Sequence, residues 1–152
     1  MKAHAEITQG LSYLAQSIST ILQQLRVHRN MCEFWGYQKL AVELGRQRDS
    51  LSEGMDAVLK RMLALEQSID LQHLGRLNIG QTVEEILVSE REMCESCYSL
   101  ANRLAVSSHS DISTRQVTES AAVKIAERME FFDQQLEMIR QMGVQNFLAT
   151  RC

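Results

Sequence analysis

Apolar residues recur along most of this chain at alternating three- and four-residue steps, the signature of helices that each bury one narrow stripe. The first run extends from about Ala5 to Phe34, with Leu11, Leu14, Ile18, Ile21, Leu25, His28, Cys32 and Trp35 following its seam. Gly36 breaks it. A second run, from about Tyr37 to Glu66, carries Leu40, Leu44, Leu51, Val58, Met62 and Leu65 on one face. A third begins near Thr82, whose hydroxyl can cap a helix, and Glu84 and Glu85 fall in the first turn, where the helix dipole favours negative charge. Its seam is Val83, Leu87, Cys94, Cys97, Ala101 and Leu104. The turn VSSHSD offers Ser110 or Asp111 as the cap of a fourth helix bearing Ala121, Ile125, Phe132, Ile139 and Met142. Gly143 stops that helix, and a short fifth segment, VQNFLATR, follows.

Four long helices with tight turns at Gly36 and at residues 108–111 predict an all-α four-helix bundle, one domain over residues 1–152. The middle connection differs. LQHLGRLNIGQTVEEI, residues 71–86, opens without a helical stripe, a charge run or low-complexity character. A thirty-residue helix is about 45 Å long, and residues 67 to 81, nearly extended, reach roughly 50 Å. The segment can therefore run the length of the bundle and make helices two and three parallel. That single long crossover is the connectivity of ferritin-like folds.

Composition narrows the function classes. The chain has 152 residues, 45% apolar and 23% charged, with a net charge of −3, and no basic stripe suited to nucleic acid. No apolar run reaches a membrane span. The stretch MKAHAEITQG has no apolar segment of a secretory leader, so a cytoplasmic protein is expected. Four cysteines are present, at 32, 94, 97 and 152. Cys94 and Cys97 form a CxxC, but they lie in a continuous helical pattern with no second ligand pair. Two free thiols on a helix face is the simpler reading.

At this point the residues carry a resemblance. LQHLGRLNIGQTVEEIL resembles the crossover of bacterioferritins, of the form LxxLGxLNIGxxVEExL, and IRQMGVQNFL is similar to their junction of fourth and fifth helices, IxxMGxQNYL. The start MK, the FWG break and the LALE end of helix two fit as well, with an apparent two-residue shortening near residues 107–110. The resemblance implies a subunit of a hollow cage of twenty-four chains storing iron as a ferric mineral. It further implies a di-iron ferroxidase centre in each bundle, haem b between two subunits, and pores where fifth helices meet.

Transferred one position at a time, the family's ferroxidase ligands are absent. The first-helix glutamate falls on Ile18. The Glu-x-x-His of helix two falls on Leu51 and Gly54. The third-helix glutamate falls on Cys94, and the Glu-x-x-His of helix four on Ile125 and Arg128. No register slip restores them, since no glutamate stands three residues before any histidine. Hard iron in a bundle core needs several inward carboxylates and imidazoles. The expectation is an apolar plug in place of the metals and no ferroxidase activity of the chain's own. Arg128 is expected either to pair with Glu53, Glu92 or Glu95, or to bend out to solvent, with partial mimicry of the metal charge a lesser reading. The haem-ligating methionine falls on Ser52, with Met55 one turn away as an alternative. Asn146 matches an asparagine near the cage's four-fold pore, or is simply a helix-end amide.

The resulting expectation is a structural subunit of an iron-storage cage, assembling with itself and with a catalytically active bacterioferritin subunit, without nucleic acid or membrane partners. A homo-oligomeric cage or dimer with another role, such as haem or partner binding, is the alternative. An enzyme using Cys94 and Cys97 is a third reading.

Overall fold

The structure is a computed structural model that describes residues 2–152, with side chains from residue 4 onward. It contains α1 (Lys2–Phe34), α2 (Gln38–Ala64), α3 (Val83–Ser107), α4 (Ile112–Met142) and the short α5 (Val144–Ala149). The helix α1 packs against α2 and α3, and α4 against α3 and α2, so the four long helices form a closed square. No helix among the described residues is long and apolar enough to cross a membrane.

The helix ends follow local chemistry. Thr82 accepts from the Glu85 N–H at the start of α3, and Asp111, not Ser110, accepts from the Thr114 N–H at the start of α4. Arg61 near the end of α2 reaches the same corner, donating to Thr114 Oγ1 at 2.9 Å and to both Asp111 oxygens at 3.1 and 3.2 Å. The second helix ends earlier than its apolar pattern suggests. Glu66 adopts φ 57°, and Glu66 and Gln67 donate back to Leu63 and Met62 carbonyls, a Schellman closure built without glycine. The start of α2 has no side-chain cap. The Lys39 and Leu40 N–H groups instead donate to the Arg151 carbonyl, which α5 delivers.

Residues 67–81 form the expected lengthwise strap. Gln67 Nε2 donates to the Thr8 carbonyl and to Ser12 Oγ, both at 2.7 Å. Thr20 Oγ1 accepts from the Gly75 N–H at 2.8 Å, Gln24 Oε1 from the Asn78 N–H at 2.7 Å, and His28 Nε2 from the Gly80 N–H at 3.0 Å. Ser89 Oγ of α3 donates to the Asn78 carbonyl. Contacts therefore advance along α1 as the strap advances, which makes α2 and α3 parallel. The side chains that hold the strap recur every fourth residue of α1, so one helix face presents acceptors to a backbone that has no ladder of its own.

His28 is consequently not part of an apolar seam. It is fully buried, and it is a polar link. Because Nε2 accepts from Gly80, the ring proton sits on Nδ1, which donates to Glu90 Oε1 of α3 at 2.7 Å. Glu90 is also fully buried. Burial pushes its carboxyl above the usual range, against the opposing pull of His28 and Gln24. Trp35 also departs from the seam and is 38% exposed beyond the helix end.

Gly80 sets how closely the strap approaches α3. A Cβ there would meet the Ile86 nitrogen at 2.5 Å and the Glu85 carbonyl carbon at 2.7 Å, both backbone atoms that cannot swing aside. Gly80→Ala is therefore expected to destabilise the fold by about 1–3 kcal/mol, measured by urea unfolding; an unchanged midpoint would contradict the close approach. Glu90 supplies a pH test. A carboxyl raised on folding binds more protons in the native state, so wild-type stability falls as pH rises from the ordinary value of 4.5 through the raised one. Glu90→Gln keeps an acceptor for His28 and removes that titration. Its Tm, subtracted from that of the wild type across pH 4–8, should show the variant gaining relative stability as pH rises; a difference that stays flat would contradict the assignment.

Candidate functional site

The six positions singled out in the sequence are all buried inside the bundle, one or two on each long helix. Ile18 and Ile125 are fully buried, Cys94 and Leu51 nearly so, and Gly54 is buried against α4, where the Lys124 aliphatic chain lies 3.9 Å from the place of its missing Cβ. Ile18, Leu51, Cys94 and Ile125 belong to one continuous core cluster with Leu14, Ile21, Met55, Val58 and Cys97. Each aliphatic side chain buried there contributes roughly 1.5–3 kcal/mol.

Arg128 is the polar member, at 2% exposure. It neither bends out to solvent nor pairs with a glutamate. Its Nε donates to the Gln47 carbonyl of α2 at 3.1 Å, and Nη1 donates to the Lys124 carbonyl one turn back in α4. Glu53, Glu92 and Glu95 are exposed, and Glu95 pairs with Arg91 instead. The physical reason is position: Arg128 points into the bundle, whereas those carboxylates stand on outward faces. Burial lowers the Arg128 guanidinium from its ordinary value, with nearby thiols and Glu127 opposing.

The two thiols of the CxxC are free, and both are buried. Burial raises Cys94 to about 12 and Cys97 to about 11, with Arg128 pulling each the other way. Neither is a ready nucleophile at neutral pH. Ser52 is exposed, in a groove with Ser19, Leu22, Gln23, Arg26, Arg48 and Leu74. Met55, its neighbour one turn on, is turned into the core at 5% exposure, so its sulfur is not offered to that groove. Asn146 is exposed at the α4–α5 corner, with Nδ2 donating to the Met142 carbonyl at 2.8 Å.

Comparison with known proteins agrees with this architecture. Residues 9–142 match the ferritin-like domain family. The chain is 27% identical to a bacterial ferritin of Pseudomonas aeruginosa, covering 99% of each chain. It is 28% identical to a bacterial ferritin of Paramagnetospirillum magnetotacticum, over 99% of this chain and 94% of that one. A bacterioferritin of Mycolicibacterium paratuberculosis is 23% identical over 98% and 95%. The chain belongs to the ferritin-like family.

For a di-iron centre this donor set is poor. Iron is a hard cation that takes carboxylate and imidazole ligands. The six inward positions offer two isoleucines, a leucine, a glycine, a high-pKa thiol and a cation. Among the described residues no group of three or more His, Cys, Asp or Glu side chains converges anywhere. These residues do not fit a di-iron centre. At Ser52, where the resemblance places a haem ligand, the side chain is a hydroxyl, which does not fit an axial ligand.

Sequence reading missed the strap-binding set of Thr20, Gln24, His28 and Glu90. The signal was present as polar residues at 8, 12, 16, 20, 24 and 28, a second stripe beside the apolar one.

Arg128 gives this site its own test. The carbonyls it contacts lie within helices, where the backbone supplies donors, so replacing it leaves no buried group without a partner. Arg128→Met fills a similar volume without a desolvated charge. It should leave stability unchanged or raise it by about 1–2 kcal/mol, read as urea midpoint; a loss above 2 kcal/mol would show that the guanidinium holds the bundle together.

Proposed function

We propose that this chain is a subunit of a bacterioferritin-type iron-storage cage that has no ferroxidase centre of its own and co-assembles with active subunits. The observation that carries this reading is the plugged cavity, with Ile18, Leu51, Gly54, Cys94, Ile125 and Arg128 where ligands would stand. What supports the shell role is the retention of what shapes a ferritin wall: the long crossover, its hydrogen bonds to α1, and α5 docked over the α2 start. The whole chain acts as one ferritin-like unit in a cytoplasmic twenty-four-subunit shell, with Asn146 at a pore. Iron mineral is cargo of the assembled particle, oxidised by the partner subunit. Matching contact surfaces within a family make mixed assembly physically accessible.

The test is assembly and loading. Expressed alone, the chain should show no saturable fast phase of ferrous iron oxidation above the spontaneous rate. Expressed with a catalytically competent bacterioferritin, it should co-purify in one cage-sized particle that mineralises iron. Fast oxidation by the chain alone would overturn the loss of the centre, and separate particles after co-expression would overturn the mixed shell.

A further inference from the structure

We propose that Cys94 and Cys97 bind one soft monovalent d10 cation, copper(I), linearly between their sulfurs, with Arg128 as the counter-charge. Both thiols are buried and stand three residues apart on the same face of α3, at 1% and 0% exposure. At that helical spacing the Cβ atoms lie about 5–6 Å apart. A disulfide needs about 3.5–4.5 Å between Cβ atoms, so the helix must distort to close one. Two metal–sulfur bonds of about 2.3 Å each set in line bridge the gap without that distortion.

Donor number and softness select the ion. Arg128 is a buried cation with no carboxylate partner among the described residues, and it favours the ionised form of both thiols, against the buried Glu90 carboxyl, which opposes it at Cys94. Loading breaks two S–H bonds, releases two protons to solvent and forms two S–Cu bonds. The resulting bis-thiolate complex carries −1, which the guanidinium neutralises. A divalent ion would need a third and fourth donor, and no larger cluster of ligating side chains is present among the described residues. Soft thiolates also prefer copper(I) to harder ions.

A route in exists. A cleft of about 430 Å³ between α1, the strap and α3 is lined by Tyr13, Ser17, Met93 and Ser96. Ser17 adjoins the Cys97 thiol, and Met93, a soft thioether, precedes Cys94 in sequence. The inference stands apart from iron storage, because copper retention and iron oxidation are separate readouts.

The experiment uses the full chain with the exposed Cys152 changed to Ser, reduced and anaerobic, titrated with copper(I) against bathocuproine disulfonate. One equivalent per chain should be withheld from the chelator, with an ultraviolet thiolate-to-copper charge-transfer band. Cys94→Ser and Cys97→Ser should each abolish retention, and Arg128→Met should weaken it at least tenfold. X-ray absorption on the Cys152→Ser protein, which does not depend on the other variants folding, should show two sulfur neighbours. No retention, retention that survives loss of both thiols, or a coordination shell beyond two sulfurs would each overturn the site.

Discussion

A backbone segment without its own secondary structure can lie against a helix only if its N–H and C=O groups find partners. Here Thr20, Gln24 and His28 supply those partners in register, and the rest of the bundle depends on it. Each such bond contributes about 1 kcal/mol net, but an unmade one leaves a buried donor, which costs more. The strap in turn fixes α3 parallel to α2 and brings Cys94 into the same buried core as Ile18 and Ile125. His28 links three elements at once: its own helix, the strap through Gly80, and α3 through Glu90.

The interior follows a different logic. Several carboxylates facing one another without metal would be costly, since buried charge must be paired or neutralised. Aliphatic side chains remove that cost and add burial. One cation remains, and it is satisfied by helix carbonyls rather than by an anion. A wall of this kind can be stable without binding anything in its centre. Its polar chemistry lies instead along the strap, where His28 of α1 links the strap to the buried Glu90 carboxyl of α3.

Much of the fold was legible because period and punctuation agree. The apolar seams, Gly36, Thr82, Asp111 and Gly143 mark the helices, and the length of residues 67–81 decides the topology. The burial of Ile18, Leu51, Cys94 and Ile125 was legible from their seams, whereas their correspondence to ligand positions comes only from the family resemblance, because isoleucine and leucine on a seam look like any core. The early end of α2 escaped, since a left-handed glutamate gives no compositional signal. His28 was read as one more seam position because its spacing is right; only the strap shows that it faces a backbone donor. The direction of Arg128 escaped too. Long side chains reach several environments, and the nearby glutamates proved to stand on other faces.

The most direct measurement is anomalous diffraction at the iron edge from crystals of this chain grown alone and exposed to ferrous iron. The account predicts no iron inside the bundle, with density for Arg128 reaching the Gln47 carbonyl. A pair of iron peaks among Ile18, Leu51, Cys94 and Ile125 would contradict it.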